Sequence, residues 1–171
     1  GYQVRIYNSF SLLCEKNFDY AVQSVSLNSD GDFCVVTSEK SYHSAVLVFD
    51  RDFNETYRWL STDKFATEAY LTDHDMLTVS AVRVSEGNLI GEIIELKLGK
   101  KEPVSIVSFT DEMPLALFSD RKGSLVLTDE NLKYMKDGEV HHSALFKEGN
   151  LDSFRFGEEL SVAVQNELSV G

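Results

Sequence analysis

The chain has 171 residues, and 28 Asp and Glu against 16 Lys and Arg leave a formal charge of −12. With no basic stripe, it lacks the clustered positive charge that nucleic acid or an anionic lipid surface requires, so neither is expected as a partner. Hydrophobic residues make up 43%, with eleven Phe and seven Tyr spread along the chain, which excludes disordered, collagen-like and coiled-coil classes.

Taken in chain order, short apolar runs recur at 4–7, 11–15, 22–27, 33–37, 45–50, 56–60, 65–71, 76–84, 89–98, 104–109, 115–119, 124–128, 132–135, 140–146, 151–156 and 160–164. Each has strand length and is rich in Val, Ile, Leu, Phe and Tyr. Turn residues separate them, including Asp30-Gly31, Glu86-Gly87, Lys122-Gly123, Asp137-Gly138 and Gly149-Asn150. Asp30-Gly31 is the strongest hairpin signal and predicts positive φ at Gly31. Helical periodicity is almost absent; a short helix over 63–71 is the one competing reading. Parallel crossovers need connections of a dozen or more residues, which are missing, so the sheets should be antiparallel.

Several strands are apolar on both faces. In the run 45–49, Ala45, Leu47 and Phe49 alternate with Val46 and Val48, and all five should be buried. Phe33 and Val35 alternate likewise with Cys34 and Val36. A sheet with one wet face would alternate apolar with polar instead. Sheets covered on both faces need a stack, and radial stacking of blades supplies one. Val25, Ala69, Leu115 and Phe154 fall at equivalent first-strand positions, with spacings of 44, 46 and 39 residues. That matches a four-stranded propeller blade of ~40–45 residues.

The expected fold is therefore all-β, with antiparallel four-stranded blades, a β-propeller or part of one. The domain 1–171 divides into blades over 21–63, 64–110 and 111–150, with half-blades over 2–18 and 151–171. Gly1 reads as a tag remnant, and the abrupt strand-like end at 168–171 reads as a cut, so a fragment is expected. A lectin-like β-sandwich is the alternative architecture and would show two face-packed sheets.

The run from Leu27 to Val36 resembles the "Asp-Gly, then apolar strand" turn of many propeller blades. The run from Ala45 to Asp50 resembles the third strand of WD40-type and quinoprotein-like blades. The whole chain resembles a family of uncharacterised bacterial propeller proteins. That resemblance implies an extracytoplasmic propeller behind an N-terminal membrane anchor in the full-length protein, with no membrane contact by this segment itself.

No run approaches the eighteen or more apolar residues of a membrane-spanning helix. Cys14 and Cys34 are too few and too far apart for a zinc site. They read as small buried hydrophobes, or as a disulfide if their strands are neighbours. Asp50-Arg51-Asp52-Phe53-Asn54 starts like a calcium loop but has Glu55 where glycine belongs and Ser61 where the closing Glu belongs. It reads as a turn whose side chains bond local backbone. Asp73-His74-Asp75 reads as an exposed hairpin tip. His141-His142 should place one imidazole in solvent and the other against a neighbouring blade. Asn54-Glu55-Thr56 matches a glycosylation sequon. Trp59 should pack between blades, and a lone Trp cannot supply the repeated docking motifs of quinone-cofactor propellers. Asp111-Glu112 and Glu158-Glu159 should lie in exposed turns.

No phosphate-binding glycine loop, dinucleotide fingerprint or nucleophile elbow occurs. The sequence therefore assigns no catalytic, metal or cofactor-binding residue. The expected function is a non-catalytic interaction or scaffold module of a bacterial cell-envelope protein, with an unidentified protein partner. A propeller-type hydrolase acting on glycans is the alternative, marked by carboxylates converging in one pocket. The two half-blades are complementary: they could close a four-bladed ring within one chain, pair between two copies as an eight-bladed homodimer, or be completed by the absent blades of a larger propeller, and the cut or the homodimer is expected over the four-bladed ring.

Overall fold

The computed structural model describes residues 1–73, 75–145, 150–155 and 161–165. The fold is all-β, and no helix occurs among the described residues. The sixteen strands coincide with the sixteen apolar runs to within a few residues. Strands β1 (Gln3–Tyr7) and β2 (Leu12–Asn17) form a two-stranded sheet. Three four-stranded sheets follow. The first holds β3 (Ser24–Leu27), β4 (Phe33–Glu39), β5 (Tyr42–Phe49) and β6 (Glu55–Ser61). The second holds β7 (Phe65–Asp73), β8 (Met76–Ser85), β9 (Asn88–Lys97) and β10 (Ser105–Thr110). The third holds β11 (Pro114–Asp120), β12 (Gly123–Thr128), β13 (Asn131–Lys136) and β14 (Glu139–Leu145). A second two-stranded sheet, β15 (Asn150–Arg155) and β16 (Ser161–Gln165), comes last. Every pairing is antiparallel and joins sequence neighbours.

The sheets stack face on face. Cys34, Val36, Val46 and Val48 pack against Ala66, Ala69, Leu77, Val79, Ile94 and Leu96 of the next sheet. The opposite face of the β3–β6 sheet, with Phe33, Val35, Ala45, Leu47 and Phe49, packs under Val4 of β1. Lys16 of β2 adds its ammonium over the Phe49 ring, 4.5 Å from the centroid. Ile93 and Phe109 meet Leu117, Val126 and Met135 on the other side of the β7–β10 sheet. All five residues of the run 45–49 are buried. Two successive sheets are thus apolar on both faces, which a two-sheet sandwich does not require. These are the antiparallel four-stranded blades of a β-propeller or part of one.

The stretch 65–71 is strand rather than helix. As a strand, β7 turns Ala66 and Ala69 toward the preceding sheet and Tyr70 toward the following one, and a helix could not serve both. The Asp-Gly hairpin closes as expected. The Asn28 N–H donates to the Asp32 carbonyl at 2.9 Å, and the Gly31 N–H donates to the Asn28 carbonyl at 3.3 Å. Gly31 has φ of +89°, the left-handed residue that follows a type I turn in a short hairpin. Cys14 and Cys34 are both free thiols, on strands of different sheets.

Candidate functional site

The first strand of each four-stranded sheet, β3, β7 and β11, lies along one common edge, with β7 beside both β3 and β11. At one end of these strands is a cleft of about 510 Å³. It is walled by the β3–β4 turn (Asn28, Asp30), by the end of β7 (Tyr70), and by the end of β11 with its turn (Phe118, Asp120, Arg121). Three blades therefore contribute to one opening.

The walls are fixed by turn hydrogen bonds. Asn28 Oδ1 accepts the N–H groups of Asp30 at 3.0 Å and Asp32 at 2.9 Å. Asp120 Oδ1 accepts the N–H of Lys122 at 2.7 Å. The Tyr134 hydroxyl donates to the Lys122 carbonyl at 2.7 Å. Such side-chain bonds to local backbone set turn geometry. The Tyr70 and Phe118 rings lie 6.3 Å apart at 59°, a tilted aromatic pair. Burial pushes the Tyr70 phenol upward, with smaller contributions from Glu68 and Cys34.

Behind the cleft, Ser26 Oγ donates to the Ala69 carbonyl at 2.7 Å and lies 3.0 Å from Cys34 Sγ. The Cys34 thiol donates to the same carbonyl at 3.2 Å. Burial pushes its pKa up to about 11. It is therefore a neutral thiol at physiological pH and a poor nucleophile. Glu68 on β7 accepts the Leu117 N–H of β11 at 2.5 Å, and burial raises its pKa.

Two further carboxylates lie inside the fold, Glu92 and Glu112. Glu92 has a side chain only 3% exposed, and it accepts from Lys64 Nζ at 2.5 Å and Arg83 Nε at 2.6 Å. Burial opposes its ionisation, but those two hydrogen bonds outweigh burial and its pKa is lowered. In the sequence Glu92 is one of three charges in the run 89–98, with Glu95 and Lys97, and nothing local singles it out as buried. Glu112, expected on an exposed turn, is instead half-buried. It pairs with Lys133 Nζ at 2.8 Å and accepts from Thr128 Oγ1 at 2.9 Å and Asn131 Nδ2 at 3.2 Å. Lys133 reaches it from β13, an approach that only the folded sheet creates. Burial again opposes ionisation of Glu112, and its partners reverse the balance.

The remaining candidates stay apart. Asp50 Oδ1 accepts the N–H groups of Asp52 at 2.9 Å and Asn54 at 2.8 Å, closing its own turn. The Asn54 bonds lower its pKa. Trp59 is partly buried between the β3–β6 and β7–β10 sheets. His141 and His142 are both exposed, contrary to the expected split, because β14 is the outer edge strand and is exposed along its whole length. Asp75 pairs with Lys97 at 2.8 Å, while His74 and Glu158-Glu159 lie outside the described residues. Among the described residues, no three His, Cys, Asp or Glu side chains gather as a metal site. Among the described residues no helix is long and apolar enough to cross a membrane. No protein-family model matches the chain, and no curated protein matches it in sequence.

Proposed function

We propose that the chain is a non-catalytic interaction module, a rigid platform of a bacterial cell-envelope protein that takes a protein partner at the cleft between its inner strands. One observation carries this reading. The carboxylates Glu68, Glu92 and Glu112 are engaged inside the fold by backbone or cationic groups, whereas the cleft presents an aromatic pair among turn side chains held in place by their own hydrogen bonds. Aromatic side chains flanked by polar groups are typical of protein-binding hot spots. The bacterial envelope setting rests on the blade resemblance of the runs 27–36 and 45–50.

A second reading has one observation in its favour. Asp30 and Asp120 come from different blades and line the same cleft, as the acid and base of a glycan hydrolase would. Two experiments separate the readings. A photo-crosslinking amino acid at Phe118 should trap a discrete protein in envelope preparations, and the trapped band should disappear when Tyr70 is changed to Ala. Turnover of chromogenic glycosides by the purified chain, abolished in D30N and in D120N, would replace the module by the hydrolase.

A further inference from the structure

The face of the β3–β6 sheet that packs under β1–β2 is only half covered. Phe33, Val35, Ala45, Leu47 and Phe49 on β4 and β5 are buried there. Val25 and Leu27 of β3 pair with Val35 and Phe33, so they lie on that same face. Yet they are 46% and 61% exposed. Ala69, at the matching place on β7 and turned the matching way, is fully buried by the preceding four-stranded sheet. The difference has a simple cause. The sheet before β7 has four strands and reaches the inner edge, whereas the sheet before β3 has two.

What is missing from that face is a two-stranded inner half-blade beside β1. Among the described residues one two-stranded antiparallel sheet occurs besides β1–β2, namely β15–β16. Its register pairs Leu151 with Val164 and Phe154 with Val162. The two small sheets are separate, with no ladder between them among the described residues. We infer that a second copy of this chain covers Val25 and Leu27, its β15–β16 completing the blade begun by β1–β2. This continues the interface that Val4 and Lys16 already make on that face. Leu27 also borders the cleft, whereas Val25 and β16 lie outside its lining, so protection of β16 separates this pairing from binding at the cleft.

Used reciprocally about a two-fold axis, the pairing joins each half-blade of one copy to a half-blade of the other. Each copy brings three four-stranded sheets and two halves. Two copies then form a ring of eight blades, within the usual range for propellers. A two-fold axis uses the same contact twice and closes. Closure also removes unpaired strand edges, which otherwise invite uncontrolled association.

Sedimentation equilibrium on the purified chain at micromolar concentration should give twice the 19.3 kDa chain mass. L27D should weaken self-association at least tenfold and leave the far-UV circular dichroism unchanged. L27S gives the same readout should the charge unfold the chain. V84D changes a valine 71% exposed on a different sheet and should leave the dimer intact. Hydrogen exchange should show the amides of β1 and β16 protected in the dimer and released in L27D. A folded chain that stays at single-chain mass would overturn the proposal. So would a dimer that survives L27D, or one in which β16 gains no protection.

Discussion

Glu92 shows how much one buried carboxylate can carry. Its oxygens lie 2.5 Å from Lys64 Nζ and 2.6 Å from Arg83 Nε, and hydrogen bonds to charged groups contribute ~1.5–3 kcal/mol. E92Q keeps the volume but leaves both cations without their counter-charge, so it should lose about 2 kcal/mol at pH 7. A carboxyl with a depressed native pKa stabilises the fold above its unfolded value of ~4.3 and loses that contribution as pH falls through the native pKa. Glu112 shifts in the same direction. Glu68 shifts upward, so its contribution is present below the unfolded value and lost as pH rises through the raised one. Urea midpoints of wild type and E92Q should therefore differ at pH 7 and converge toward pH 3. Leu47 tests the apolar core. It is 5% exposed among Phe33, Val35 and Phe49, and L47A should cost ~2–5 kcal/mol at unchanged denaturant slope.

At the scale of elements, the sheets meet closely enough to dictate single residues. Gly91 lies in the middle of β9, paired with Phe109 and Val82. A Cβ there would run into the Glu112 carbonyl and stand 2.6 Å from Pro114 Cδ. Backbone from the connection between β10 and β11 therefore crosses directly over β9. Its position is reinforced by the Asp111 N–H, which donates to the Leu89 carbonyl at 2.8 Å. G91A should cost ~1–3 kcal/mol through overpacking, seen as a drop of ~2–4 °C in melting temperature per kcal/mol. Strand positions themselves were legible, because apolar alternation and Asp-Gly turns act over a few residues. The competing helix over 63–71 fails for a tertiary reason. β7 stands between two sheets and needs side chains on both sides of a flat ribbon.

Across the whole molecule, protection follows position in the stack. β4, β5, β8 and β9 are central strands covered on both faces, whereas β14 is exposed along its length and β10 along much of it. Native-state hydrogen exchange should therefore be slowest in β4, β5, β8 and β9 and fastest in β14, since local opening is easiest where few buried contacts hold a strand. Comparable rates across all sixteen strands would mean that the sheets open together rather than blade by blade. The formal charge of −12 favours solubility and acts on association more than on fold.

By itself the sequence determined the class, the strand positions and the turns. Each follows from side-chain periodicity and backbone preference over a handful of neighbours. It also determined that the run 45–49 is buried on both faces, because Val46 and Val48 left no polar side to face water. Tertiary structure alone decided which acids are internal. Lys64 comes to Glu92 from the connection before β7 and Arg83 from β8, so their pairing depends on three-dimensional approach. The cleft joins Asp30, Tyr70, Phe118 and Asp120 from three sheets, a juxtaposition with no local signature. The exposure of both His141 and His142 was likewise set by the place of β14 at the sheet edge. Local pattern fixes what a residue prefers; only packing fixes what it meets.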